Sequence, residues 1–215
     1  MPFQYACFIS YRRTNQSILD RFVKDLSEGL TFELAPYLDL GVFTDPAMGA
    51  AGETFEQAIS TALCHSVCMI PVYTPNYFST AHPYCAREFK LMQGLEEQRL
   101  KTLEAEDRNQ GLIIPVVLRG ADLLPRELRD RYQCFSFEQY MLGDKRVFRS
   151  PGFRKSLEKI ARTIFDRYQS LRPLEALSDL GCGGLKLPGE EDIRDWLGTV
   201  TSPVPALPLR TEGLR

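Results

Sequence analysis

Two spacing patterns of apolar residues alternate over the first 170 positions of the chain. Short apolar runs rich in aromatic and β-branched residues are typical of buried strands, and they occupy residues 5–11, 41–45, 67–73, 112–118 and 134–137. Between them, apolar residues recur every three or four positions, which predicts helices over residues 17–29, 54–63, 83–107 and 150–168. This alternation predicts one α/β domain, with a parallel sheet of about five strands and helices on both faces.

Residues with capping chemistry mark the expected ends of these helices. Ser17 is expected to begin the first helix and Gly29 to end it. Thr54 followed three residues later by Gln57 predicts the start of the second helix. Ser150-Pro151 places a cap and a first-turn proline at the start of the last one.

A change in composition predicts a boundary near residue 171. Glycine and proline supply 11 of residues 171–215 but only 18 of residues 1–170. The expected organisation is a domain over 1–170 and a Gly/Pro-rich C-terminal extension or linker over 171–215. The acidic segment 190–197 carries the single tryptophan, Trp196, whose ring can dock back on the domain.

Charge and cysteine content exclude several classes of protein. The net charge of −2 gives no basic footprint for nucleic acid. No apolar run approaches the ~20 residues that span a bilayer. Six cysteines in 215 residues are too few for a disulfide scaffold, which favours a cytoplasmic protein. Cys64, His65 and Cys68 lack a second pair at zinc spacing, so no metal site is predicted.

Candidate chemistry follows the first three strands, because sites in parallel sheets lie at the carboxyl ends of strands. After the first strand, Arg12 and Arg13 can bind phosphate bidentately, although from local sequence alone surface cations in a polar loop are the simpler interpretation. The small-residue loop 45–53 leads into a helix N-terminus but lacks the known phosphate-loop patterns, so a flexible connector is the simpler interpretation. Glu88 falls near a helix start, where the helix dipole stabilises a carboxylate and where glutamate is also common.

Six segments follow one another in a recognisable order. They are Phe8-Ile9-Ser10-Tyr11-Arg12-Arg13, then Val42-Phe43-Thr44-Asp45 with the Gly49 and Gly52 loop and Ala58-Ile59, then 67–73 with 76–79, Tyr84-Cys85-Ala86-Arg87-Glu88, 112–118 and 150–168. In this order and spacing they resemble a Toll/interleukin-1 receptor (TIR) domain over residues 5–168. The order and spacing of the segments, more than any one of them, make the resemblance specific. Tyr84 replaces the usual tryptophan of a Trp-Cys-x-x-Glu motif.

The resemblance implies a flavodoxin-like TIR fold and, among TIR proteins, the class that cleaves NAD+. That class uses a glutamate at the position of Glu88, whereas other TIR domains are adaptors that only assemble. Glu88 and the Arg12-Arg13 pair favour the enzyme. Two alternatives remain open: a non-catalytic TIR interaction module, and a flavodoxin-like or nucleotide-binding domain of another family.

The resemblance also implies roles for individual residues. Glu88 is the expected catalytic residue, because a carboxylate stabilises positive charge that develops on the ribose. Nicotinamide leaves as a neutral molecule, so no general acid is needed, and NAD+ is the substrate of a reaction without a cofactor. The expected substrate-binding residues are Ser10, Tyr11, Arg12, Arg13, Phe43, Asp45, Gly52, Phe55, Tyr84 and Cys85.

Partners and setting are implied in the same way. In TIR enzymes, the loop that matches 45–53 often completes the site of a neighbouring protomer, so homo-oligomerisation is expected, with a downstream effector as a further partner. Bacterial anti-phage signalling is the implied role. The product can be ADP-ribose, a cyclic isomer or a base-exchange product, and the sequence does not separate these.

Overall fold

Five parallel strands form the centre of the domain. The computed structural model describes residues 3–13, 17–44, 54–103, 111–140, 150–175, 182 and 184–201. The strands are β1 (Tyr5–Tyr11), β2 (Gly41–Phe43), β3 (Ser66–Tyr73), β4 (Val116–Val117) and β5 (Phe135–Ser136). Their order in the sheet is β2-β1-β3-β4-β5, and every neighbouring pair is parallel. The predicted α/β fold with a five-stranded parallel sheet is confirmed.

The helices are divided between the two faces of the sheet. They are α1 (Ser17–Leu34), α2 (Phe55–Cys64), α3 (Tyr84–Lys101), α4 (Arg126–Arg129), α5 (Pro151–Glu175) and α6 (Glu190–Thr201). The chain leaves β1 through α1 toward β2, then returns through α2 to β3 on the other side of β1. Right-handed crossovers in opposite directions put α1 and α2 on opposite faces. Accordingly, α1 packs against α5, and α2 packs against α3.

Helix α1 continues past Gly29 to Leu34, so the prediction that Gly29 ends it was wrong. A Cβ at position 29 would lie 2.5 Å from a methyl carbon of Leu157 in α5. The glycine therefore permits a close approach of two helices. Leu30 and Leu34 are buried on the same helix, and this burial favours continuing it.

The strongest apolar run of the sequence, residues 112–118, forms a shorter strand than predicted. Residues 116 and 117 form β4, and Ile113 makes an isolated bridge to Met69 of β3. Pro115 lies between them and has no N–H to contribute to a ladder. The whole segment is buried alongside β3, but proline interrupts its regular pairing.

The described part of the C-terminal extension folds back onto the domain. Helix α5 runs to Glu175, so the boundary placed near residue 171 falls inside a helix. Cys182 forms a disulfide with Cys64 at the end of α2. Trp196 of α6 stacks on Phe89 of α3, with ring centroids 6.0 Å apart, and the expected docking of this tryptophan is confirmed. Within the described ranges, no helix has both the length and the apolar character needed to cross a bilayer.

The disulfide should stabilise the fold, because it links residues 118 positions apart and so restricts the unfolded chain. We expect Cys182→Ser to lower the free energy of unfolding by about 2–4 kcal/mol under oxidising conditions. The midpoint of thermal unfolding should fall with it, by about 2–4 °C for each kcal/mol in a chain of this size. Cys134→Ser, at a half-buried free thiol, is the matched control. Equal midpoints for wild type and Cys182→Ser would contradict this expectation.

Candidate active site

A cavity opens where the strand order reverses. The chain leaves β1 for one neighbour and later forms the other, so the carboxyl ends of β1 and β3 frame a crevice of the kind in which α/β sheets bind ligands. The cavity has a volume of about 360 Å³. It is lined by Phe8, Ile9, Ser10, Tyr11, Arg12, Arg13, Thr44, Phe55, Ile59, His82, Tyr84, Cys85 and Glu88.

Most of the residues that the sequence analysis singled out lie together in this cavity. Those brought together are Ser10, Tyr11, Arg12, Arg13, Phe55, Tyr84, Cys85 and Glu88. Phe43 is placed differently, because its ring packs on those of Phe8 and Tyr5, at centroid distances of 5.1 and 5.0 Å. Asp45 and Gly52 lie outside the described residues.

Five lining residues had no role predicted from the sequence: Phe8, Ile9, Thr44, Ile59 and His82. For two of them, the spacing in the sequence could have predicted a place in the cavity. Ile59 follows Phe55 by four positions on α2, which places both on one face of the helix. Phe8 precedes Ser10 by two positions on β1, so they share a face of the strand.

Glu88 reaches the cavity from the second turn of α3. Tyr84 begins this helix, and the spacing of four residues puts both side chains on the same face. Only 8% of Glu88 is exposed. Its Oε2 accepts a hydrogen bond of 2.6 Å from the hydroxyl of Ser10, at the carboxyl end of β1. The same hydroxyl lies 2.8 Å from the hydroxyl of Tyr77.

Burial controls the ionisation of Glu88. Desolvation raises the pKa of this carboxyl to about 7, while the Ser10 hydroxyl and the cations Arg13 and Arg87 act in the opposite direction. At neutral pH the group is therefore divided between its acid and carboxylate forms, as is common at functional sites. Burial also raises the pKa of the Cys85 thiol well above its ordinary value, so this thiol stays protonated and is not an activated nucleophile.

Two guanidinium groups follow directly after β1. Arg12 donates a hydrogen bond of 3.1 Å to the carbonyl of Asn76, which uses one of its five N–H donors. Arg13 interacts with the hydroxyl of Tyr11 and partly offsets the rise that burial causes in the pKa of this tyrosine. Both arginines line the cavity, so they give its mouth a local positive charge that the net charge of the chain conceals.

An exposed aromatic pair forms another part of the cavity wall. Phe55 and Tyr84 are 52% and 44% exposed, and their rings meet edge to face at 6.1 Å. Thr54 fixes the start of α2 by accepting a hydrogen bond of 3.3 Å from the backbone of Gln57, which confirms the predicted cap. Such a pair offers a surface against which a planar ring can stack.

Arg87 contacts this aromatic pair and helps to hold it in place. Its guanidinium lies 5.3 Å from the centre of the Tyr84 ring and donates a 2.7 Å hydrogen bond to Glu56 in the first turn of α2. Its Nε donates a 2.6 Å hydrogen bond to the carbonyl of Pro188 in the C-terminal extension. Arg87 thus ties α2, α3 and the extension together beside Glu88.

Metal-dependent chemistry has no evident ligand set in the described part of the chain. No group of three or more His, Cys, Asp or Glu side chains there could hold a metal ion. The chemistry that the cavity offers comes from one buried carboxyl group, two guanidinium groups and aromatic rings. Together they suit an anionic ligand with planar rings.

The fold and the cavity together define the class of protein. It is a doubly wound α/β domain with a ligand crevice at its topological switch point, where the strand order reverses. The profile of the family described as TIR domain matches residues 7–147. The chain belongs to the TIR domain family, as the resemblance in its sequence had indicated. No curated protein matches the chain significantly.

Among solved structures, the chain is similar to the TIR domains of the activated Roq1 resistosome that directly recognises the pathogen effector XopQ. The two share 18% sequence identity. The match covers 79% of this chain and 96% of the other, with a TM-score of 0.40.

The raised pKa of Glu88 predicts a pH-dependent cost to stability. Between about pH 4.5 and 7 the folded protein keeps a proton that the unfolded chain has lost, so stability contributed by this group falls as the pH rises through that window. We compare the free energy of unfolding of Glu88→Gln with that of wild type. We expect this difference to change by roughly 1–3 kcal/mol in favour of the variant when the pH is raised from 5 to 8. Urea unfolding at both pH values measures it.

The matched control for this measurement is Glu97→Gln. Glu97 lies on the same helix, but its side chain is 59% exposed. Its stability difference from wild type should be nearly the same at the two pH values. A pH-independent difference between Glu88→Gln and wild type would contradict the raised pKa.

Proposed function

We propose that this protein cleaves NAD+ at the bond between nicotinamide and ribose, as an NAD+ glycohydrolase or an ADP-ribosyl cyclase. The observation that carries the proposal is the buried carboxyl group of Glu88, with a pKa of about 7, in the cavity that Arg12 and Arg13 also line. Membership of the TIR domain family supports it, since some TIR domains have this activity.

The proposed reaction needs one carboxylate. The C–N bond to nicotinamide breaks and its electron pair leaves with the neutral base, so positive charge develops on the ribose. Ionised Glu88, itself only 8% exposed, stabilises that charge electrostatically. Water then attacks the ribose carbon and loses a proton, which a carboxylate with a pKa near 7 can accept. NAD+ and water give ADP-ribose, nicotinamide and a proton; in a cyclase, an atom of the same ADP-ribose moiety replaces water.

Binding of the dinucleotide is assigned to the rest of the cavity wall. Arg12 and Arg13 neutralise the diphosphate, for which bidentate guanidinium groups are well suited. Phe55 and Tyr84, exposed and edge to face, offer a stacking surface for one of the two bases.

The wider role that we propose is bacterial anti-phage immune signalling in the cytoplasm. Copies of this chain would assemble through the loop 45–53, and the nucleotide product would act on a downstream effector. A cytoplasm keeps thiols reduced. There, Cys64 and Cys182 would be thiols, and the contacts of Arg87 and Trp196 would hold the extension.

The direct test is release of nicotinamide from NAD+ by concentrated protein, followed by chromatography. We expect Glu88→Gln to lower kcat at least about 100-fold, because the charge that stabilises the transition state is lost. Glu97→Gln, exposed on the same helix, should retain wild-type turnover. The product peak separates hydrolase from cyclase.

Two outcomes contradict the proposal in different ways. If crowded or clustered wild-type protein releases no nicotinamide, a non-catalytic TIR interaction module becomes the better interpretation. If Glu88→Gln and wild type turn over equally, the role of Glu88 is wrong even though the activity exists.

The role of the arginine pair has its own test. We expect Arg12→Ala and Arg13→Ala each to raise KM for NAD+ about tenfold or more, with a smaller effect on kcat, since each removes a charged contact to phosphate. With nicotinamide riboside, which has no phosphate, the same variants should behave like wild type. Arg129→Ala, at a surface ion pair with Asp130, is the control. An equal loss with both substrates would show that the arginines do not act on phosphate.

A further inference from the structure

We propose that Ser10 and Tyr77 are positioning residues for Glu88. They form a buried hydroxyl chain, Tyr77 to Ser10 to Glu88, which holds one carboxyl oxygen and leaves the other to face the substrate. The kinetic part of this inference rests on the proposed cleavage of NAD+, whereas its structural part does not.

The hydroxyl chain joins three separate parts of the fold. Ser10 lies at the end of β1, Tyr77 in the loop after β3, and Glu88 on α3. The oxygen–oxygen distances are 2.8 Å from Tyr77 to Ser10 and 2.6 Å from Ser10 to Glu88. The rings of Tyr73 and Phe78 pack around Tyr77, which is fully buried. Its hydroxyl is therefore held on Ser10 by packing.

Proton counting gives the hydroxyl chain a direction. An ionised carboxylate only accepts hydrogen bonds, so the single proton of the Ser10 hydroxyl must point to Glu88. The Ser10 oxygen then accepts from the hydroxyl of Tyr77. Burial raises the pKa of Tyr77 well above its ordinary value, so this hydroxyl keeps its proton. Each bond polarises the next, and the chain as a whole favours the ionised form of Glu88.

The two oxygens of Glu88 thus have different surroundings. Oε2 accepts the bond from Ser10. Within the described part of the protein, Oε1 accepts no hydrogen bond, while Glu88 itself lines the cavity. One carboxyl oxygen of Glu88 can therefore be held in place while the other contacts the ribose of the substrate.

The other charged and titratable groups named around Glu88 come from α3, from the end of β1 and from the loop before α3. Cys85 and Arg87 share its helix, Arg12 and Arg13 follow β1, and His82 lines the cavity from the loop before α3. The arginines stay cationic over the working range of pH. Burial keeps Cys85 neutral. A pH profile of turnover reports every titrating group of the site together, so a spectroscopic signal from the Glu88 carboxyl is needed beside it.

Removing the hydroxyl chain should shift the ionisation of Glu88 upward. Ser10→Ala deletes the direct donor, so we expect the titration midpoint of Glu88 to rise by about one pH unit and the acidic limb of kcat to move with it. Tyr77→Phe should shift both in the same direction by less. The double variant should match Ser10→Ala, because Tyr77 acts through Ser10. Effects on kcat should exceed those on KM.

The experiment follows the Glu88 carboxyl carbon by NMR in the full chain labelled with 13C-glutamate, with Glu88→Gln to assign the signal. Tyr73→Phe is the matched control, since its buried hydroxyl donates to the Leu123 carbonyl and not to Ser10. This variant should titrate like wild type. Circular dichroism verifies that each variant folds.

The two readouts separate failure of the hydroxyl chain from failure of the proposed function. The expected titration shifts without any release of nicotinamide would support the chain and contradict NAD+ cleavage. Glu88-dependent release with an unmoved midpoint in Tyr77→Phe would overturn the chain and keep the function. Additive shifts in the double variant would also overturn it, because Tyr77 would then act independently of Ser10.

Discussion

The hydrogen bond from Ser10 to Glu88 is the contact on which the site depends. It joins the carboxyl end of β1 to the second turn of α3 over a distance of 2.6 Å. A shift of β1 by one residue would turn Ser10 to the opposite face of the sheet, and a shift of α3 by one residue would rotate Glu88 by about 100°. The sheet register and the seating of α3 must therefore both be correct before the cavity has its carboxyl group.

Two buried glutamates on α3 show how environment separates a reactive group from a structural one. Glu96 accepts hydrogen bonds from the backbone of Leu112 and from the hydroxyl of Tyr132, at 2.6 and 2.9 Å, and pairs with Arg131. Both of its oxygens thus have hydrogen-bond partners, as a buried polar group normally requires. Among the described residues, Glu88 accepts a hydrogen bond from Ser10 alone, and its side chain faces a cavity. The second arrangement costs stability and leaves binding capacity for a ligand.

Local patterns predicted the parts of the structure that local forces determine. The burial of β1, the cap at Thr54 and the spacing from Tyr84 to Glu88 all depend on neighbours within a few residues. Gly29 was misinterpreted because the residue that requires a glycine there, Leu157, is distant in sequence. The Cys64–Cys182 disulfide was missed because spacing alone does not pair cysteines.

Distance in sequence also hid the role of Arg87, because its hydrogen-bond partner Pro188 lies 101 positions away. The TIR family profile ends at residue 147, so the extension that carries Pro188 lies beyond the part of the chain that the profile matches. Arg87 contacts Glu56 and the ring of Tyr84 as well, and it precedes Glu88 directly. Any displacement of the extension must disturb that guanidinium, and through it the aromatic wall of the cavity. The extension therefore belongs to the same packed unit as the site.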